Sequence, residues 1–180
     1  MKILIIILGI AAVLVIISQL YLMNSQKNIE QYPYKVIKNY KSFEIRKYEA
    51  SLFTSVKLTS NAYNETSSKG FSILAGYIFG GNNKNEKIAM TSPVAMTIEE
   101  TTTMMFLVPK KYTRETLPKP NNTEIEFIEI PAKKVAAITF SGWANDTKIK
   151  SFKKKLIEGL EKNGMLYTNN FYFLGYNAPI

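Results

Sequence analysis

"GYIFGGNNKNEKIAMTSPVAM", residues 76–96, decides how the chain divides. An aromatic-apolar run stops at two glycines, a polar, amide-rich loop follows, and a methionine-bearing strand starts straight after it. Upstream, Phe71, Leu74, Tyr77 and Ile78 recur at helical spacing. Gly80 and Gly81 therefore read as the positive-φ residues that end a helix over 61–79. Downstream, Pro93 kinks an extended piece, after which Val94, Met96 and Ile98 alternate inward. A turn leads into "TMMFLVP" (103–109), with Met104, Phe106 and Val108 on one side.

Outward from there, "YKVIKNY" (34–40), "FEIRKY" (43–48) and "SLFTSVKLT" (51–59) carry strand signals, and Leu52, Thr54, Val56 and Leu58 share one face of the last. Beyond a polar loop at 110–123, "EIEFIEI" (124–130) and "KKVAAITFSG" (133–142) read as a hairpin around Pro131-Ala132. A second helix is expected over 145–163. Asn145 or Asp146 caps its start, Ile149, Phe152, Leu156 and Leu160 form its apolar stripe, and Gly164 closes it. Lys148, Lys150, Lys153, Lys154 and Lys155 crowd its remaining surface, which reads as a solvated face or one that rests on anionic lipid. "NFYFLGYNAPI" then begins as a strand.

The two halves share a plan: strands, a helix of about 18 residues, more strand. Two pseudo-symmetric ββαββ-like units give an α+β fold, with two helices on one antiparallel sheet or barrel. The second half is one strand short after its helix, which implies either a missing C-terminal strand or an open sheet edge.

Composition narrows the chemistry. The 180 residues suffice for one domain with a core, 34–180 here. There is neither cysteine nor histidine, which excludes disulfides, thiolate zinc sites and every Ser-His-Asp or Cys-His mechanism. The net charge of +9 is mostly lysine, and only Arg46 and Arg114 are arginines. Nucleic-acid readers favour arginine for its bidentate contacts, so nucleic acid is not the expected partner. Pairs such as Glu99-Glu100 and Glu124/Glu126 are ordinary surface acids, and no catalytic constellation is visible. Glu129 shares period-2 parity with Ile125 and Phe127, which makes it a candidate for an inward carboxylate, while its place at the strand end beside Pro131 favours an ordinary surface acid.

Residues 1–23 stand apart. Ile3 to Met23 is uncharged and mostly apolar, long enough at about 1.5 Å per residue to span a hydrocarbon core of roughly 30 Å. Two readings fit, a cleaved signal peptide or an uncleaved single-pass anchor. The absence of an A-x-A cleavage site favours the anchor. Lys2 on a very short leading tail places the domain on the extracytoplasmic side, while Lys27, Lys35 and Lys38 argue for the opposite orientation. Residues 24–33 form a polar tether.

"FEIRKYEAS" (43–51), "YIFGGN" (77–82), "KIAMTSPV" (87–94), "IPAKKVAAITFSG" (130–142) and "YFLGYNAP" (172–179) together resemble the SOUL haem-binding protein family. The resemblance implies a distorted antiparallel β-barrel with two helices, and a tetrapyrrole held in a cleft flanked by the first helix and nearby loops. It also implies a further strand after the "YNAP" motif, which the sequence does not contain. Some SOUL proteins are thought to ligate iron through histidine. Here Tyr, Met or Lys would have to serve, or the macrocycle is held by apolar burial and propionate contacts alone.

The expected function is a membrane-tethered, non-catalytic module for haem or another tetrapyrrole. The alternatives are a binder of another amphipathic small molecule and a protein-interaction module that has lost haem. The candidate site comprises Tyr77 and Phe79 as stacking surface, Lys84 and Lys87 as propionate partners, and Met90 and Met96 as a soft wall.

Overall fold

The computed structural model describes residues 29–60, 62–98 and 101–176, with Gly9, Val13 and Leu14 as isolated helical positions. Apart from those three, the expected anchor at Ile3–Met23 lies outside the described residues, as does 177–180. Among the described residues no helix is long and apolar enough to cross a membrane. The chain divides into two units, 1–30 and 31–180.

The elements run β1 (Glu30–Gln31), β2 (Tyr34–Asn39), β3 (Glu44–Tyr48), β4 (Ser51–Leu58), α1 (Tyr63–Ile78), β5 (Thr91–Ser92), β6 (Val94–Thr97), β7 (Thr102–Leu107), β8 (Ile125–Ile130), β9 (Lys133–Ala137), α2 (Asp146–Lys162) and β10 (Tyr172–Gly175). One sheet has the order β10-β6-β7-β4-β8, another β2-β3-β9, and β1 and β5 form a two-stranded ladder. Every pairing in the two larger sheets is antiparallel.

The expected hairpin at Pro131-Ala132 is not one. β8 pairs with β4 in the larger sheet, and β9 pairs with β3 in the smaller. Glu44 faces Ala137 and Tyr48 faces Lys133; the same register resumes at Ser51 with Ile130 and runs to Val56 with Ile125. β3–β4 and β8–β9 are thus two long bent strands, paired with each other, that change sheet together at one corner. This ribbon joins the two halves of the chain, and it accounts for their matching plan. The barrel does not close. Among the described residues β9 pairs only with β3 and β10 only with β6. Among the described residues no strand occupies the position beside β9 that corresponds to β7 beside β4.

Apolar residues pack on both faces of the larger sheet. Val56, Leu58, Met96, Met104, Phe106 and Val108 meet Leu74, Tyr77 and Ile78 of α1 on one face. Phe53, Ala95, Met105 and Leu107 form the other with Tyr32 and Tyr48. That two-sided cover is why Ala95 and Met96 are both buried where alternation predicts only Met96 inside. α2 buries Ile149, Leu156 and Leu160, and Leu156 and Leu160 pack with Phe43 and Phe171. Phe152 stacks on Phe140, ring centres 4.5 Å apart. Glu129 is exposed, not inward, between the half-buried Ile128 and Ile130.

Candidate functional site

The end of α1 and the loop after it form a braced ledge. Gly80 has φ +114°, and a Cβ on Gly81 would lie 2.6 Å from the Gly76 carbonyl oxygen, so two different constraints require the two glycines. The Gly81 N–H donates to that carbonyl at 2.8 Å, and the Ile88 N–H returns to the Ile78 carbonyl at 2.8 Å. Between them Asn82 is buried with all its capacity used. Its amide donates to the carbonyls of Tyr77 (3.2 Å) and Glu86 (2.7 Å), and its oxygen accepts from the N–H groups of Lys84 (3.2 Å) and Glu86 (3.1 Å). Asn83 exchanges backbone and side-chain bonds with Lys119, and the Asn121 N–H donates to the Gly81 carbonyl. Residues 118–121 therefore hold the loop from outside.

The predicted residues separate into two groups on this frame. Phe79, 58% exposed, caps α1, and Lys84 and Lys87 are exposed on the loop. The Ile78–Ile88 closure sets Phe79 and Lys87 next to the same hydrogen bond. Met90 is exposed two residues further on. Tyr77 and Met96, by contrast, belong to the core. The Tyr77 hydroxyl donates to the Pro118 carbonyl at 2.8 Å, so the ring braces the ledge from beneath and offers no open face. Burial, and then the nearby Tyr112 and Glu86, raise the Tyr77 phenol well above the usual tyrosine range. Tyr112 donates to Glu86 Oε1 at 2.5 Å, and that bond raises its own phenol.

A recess of about 40 Å³ where the helix N-termini meet is lined by Tyr63, Met96, Ile98, Asp146 and Phe173, far below the roughly 300 Å³ at which small-molecule pockets begin. One polar cluster gave no local sequence signal. Buried Arg46 pairs with Glu44, donates to the Tyr48 hydroxyl and Thr139 Oγ1 at 3.3 Å each, and lies 4.4 Å from the Tyr34 ring centre. The Tyr48 and Tyr176 hydroxyls meet at 3.3 Å. The members span positions 34 to 176 and come from β2, β3, the residues after β9 and the residue after β10, which only the tertiary fold brings together.

Comparison with known proteins decides the family. The sequence profile of the SOUL heme-binding protein family matches residues 29–180. The chain belongs to the SOUL family. Among its relatives, heme-binding protein 1 of Xenopus laevis is 25% identical over 147 residues, covering 77% of each chain. Heme-binding protein 2 of Homo sapiens is 28% identical over 149 residues, covering 77% of this chain and 72% of its own. Heme-binding protein 1 of Mus musculus is 22% identical over 166 residues, 85% and 87% of the two chains. This SOUL domain has no histidine, so imidazole has no part in its site.

Proposed function

We propose that the domain binds haem or another tetrapyrrole on the open ledge at the end of α1, without catalysis and without a bond from histidine to iron. Phe79 supplies a planar apolar face, and Lys84 and Lys87 supply cations for the propionates. Met90 borders the ledge, and Tyr77 and Met96 support it from the core.

The observation that carries the reading is the combination of family and geometry: a SOUL domain whose exposed aromatic ring stands beside two solvent-facing lysines on a fully hydrogen-bonded loop. Tyrosinate ligation finds no support near it. A phenolate ligand needs a depressed pKa, and both Tyr77 and Tyr112 are shifted upward, the first chiefly by burial and the second chiefly by its bond to Glu86. Stacking and charge do not require iron, and the reading rests on those two. Apolar burial contributes about 25 cal/mol per Å², and association costs offset much of what one macrocycle face supplies, so micromolar or weaker affinity is expected.

Titration with haemin and with iron-free protoporphyrin tests this. Saturable spectral changes of both, at affinities within about threefold, are expected, since an iron bond would separate them by far more than the ~0.6 kcal/mol that factor represents. Lys84→Glu with Lys87→Glu should weaken both. Unchanged affinity in that variant removes the ledge as the propionate site. No saturable change in a folded wild type removes tetrapyrrole binding and leaves another amphipathic ligand as the reading.

A further inference from the structure

The start of α2 and the loop before it form a surface that the ledge does not use. Trp143, the chain's only tryptophan, is 72% exposed. Its backbone is held in place: Lys148 Nζ donates to the Ser141 carbonyl at 2.6 Å and to the Trp143 carbonyl at 3.3 Å. A large ring is thus displayed from a fixed loop. Beyond it, Lys150, Lys154 and Lys155 are exposed on the first turns of the helix. Lys148 and Lys155, seven apart, share a stripe that starts beside Trp143.

Little neutralises these cations. The Asp146 carboxylate is engaged by the N–H groups of Tyr63 (2.7 Å) and Asn64 (3.2 Å). Glu158 lies 3.9 Å from Lys154, both largely exposed, an arrangement that contributes little. Lys150 and Lys155 have no acidic partner among the described residues.

We propose that this face docks on an anionic lipid bilayer, with Trp143 in the headgroup interface and Lys155 and the neighbouring Lys154 against lipid phosphates; Lys150 lines the recess on the other side of the helix. Tryptophan partitions to that interface, and exposed lysines are drawn to anionic lipid. Lysine suits a diffuse array of phosphates, whereas bidentate recognition of one anion favours arginine. The sequence also argues for lipid over an acidic protein. The uncharged segment 3–23 is long enough to insert, and the six residues 24–29 that separate it from β1 reach at most about 21 Å, so an inserted segment keeps the domain beside a bilayer.

The full chain is reconstituted with vesicles of phosphatidylcholine alone and of phosphatidylcholine mixed with phosphatidylglycerol. Both leaflets carry the same lipid, so either orientation presents the surface. Trp143 emission reports this site alone. Blue-shifted emission, with quenching by bromine-labelled lipid, is expected in the mixed vesicles only and is reversed by added salt. The Lys154→Glu, Lys155→Glu variant, with unchanged circular dichroism, should give the phosphatidylcholine spectrum even in mixed vesicles. If that variant misfolds, the salt reversal on the wild type makes the same decision. An unshifted Trp143 in mixed vesicles overturns the proposal, and so does an equal shift in both lipids. A shift on soluble polyglutamate with none on vesicles also overturns it and assigns the face to an acidic protein.

Discussion

Asn82 shows how much of the ledge depends on one side chain. It is 1% exposed and makes four hydrogen bonds, all to backbone of its own loop and of the α1 terminus. Alanine there leaves several buried backbone groups without partners, at a cost of about 2 kcal/mol. Asn82→Ala should lower the urea midpoint accordingly and weaken haemin binding by releasing Lys84 and Lys87; an unchanged midpoint would show that water replaces the amide freely. Nothing in "NNKNE" distinguishes Asn82 from Asn83 or Asn85. The choice is made by residues 118–121, which fold over that position from nearly forty residues away. The pairing of Tyr77 with Phe79 was open to correction from sequence. Two positions on a helix differ by about 200°, so one of the pair had to face the core. Phe79, Lys84 and Lys87 were legible because a glycine stop followed by a polar loop marks a surface whatever lies beneath.

Between elements, the two helices meet at their N-termini. This sets like ends of two helix dipoles side by side, and the Asp146 carboxylate offsets it. Asp146 opens α2, yet its oxygens accept the first free N–H groups of α1, which has no side-chain cap of its own. Asn145 caps α2 separately, accepting from the Lys148 N–H at 2.8 Å. Asp146→Ala should therefore destabilise the fold by about 1 kcal/mol, the ordinary cost of a lost cap, and the loss should appear as earlier hydrogen exchange at Tyr63 and Asn64 in α1. If exchange quickened only in α2, the cross-helix cap would carry no weight. The periodicities of β4, β7 and both helices were legible because each repeats within its own segment. The corner at Pro131-Ala132 was not, because a turn and a bend both break a strand in the same way. Which of them forms is settled by β3–β4, whose register continues past the break and holds β8 and β9 in line.

At the scale of the molecule, the bent ribbon gathers tyrosines from distant positions into the smaller sheet's side of the core, and this sets the alkaline limit of the fold. Tyr32 is 5% exposed, its ring 4.5 Å from that of Tyr48 and 5.1 Å from that of Phe53, and its hydroxyl has no partner among the described residues. Burial, then the nearby Tyr48 and Tyr172, push its phenol up to about 12. Burial and the bond to Tyr48 raise Tyr176 further still. An unfolded phenol titrates near 10. Above that pH the folded state binds more protons than the unfolded one, so stability is fully present below about pH 10 and is lost as pH rises through the folded values. Phenolate absorbance should accordingly show a late fraction that appears together with loss of circular dichroism. Tyr32→Phe keeps the ring and its packing while removing a buried hydroxyl that makes no bond. It should raise stability at neutral pH by about 1 kcal/mol and flatten the alkaline decline. A lower urea midpoint in Tyr32→Phe would mean that the hydroxyl has a partner, and the tyrosine cluster would then be a connected network instead of a packed aromatic core with one orphaned group.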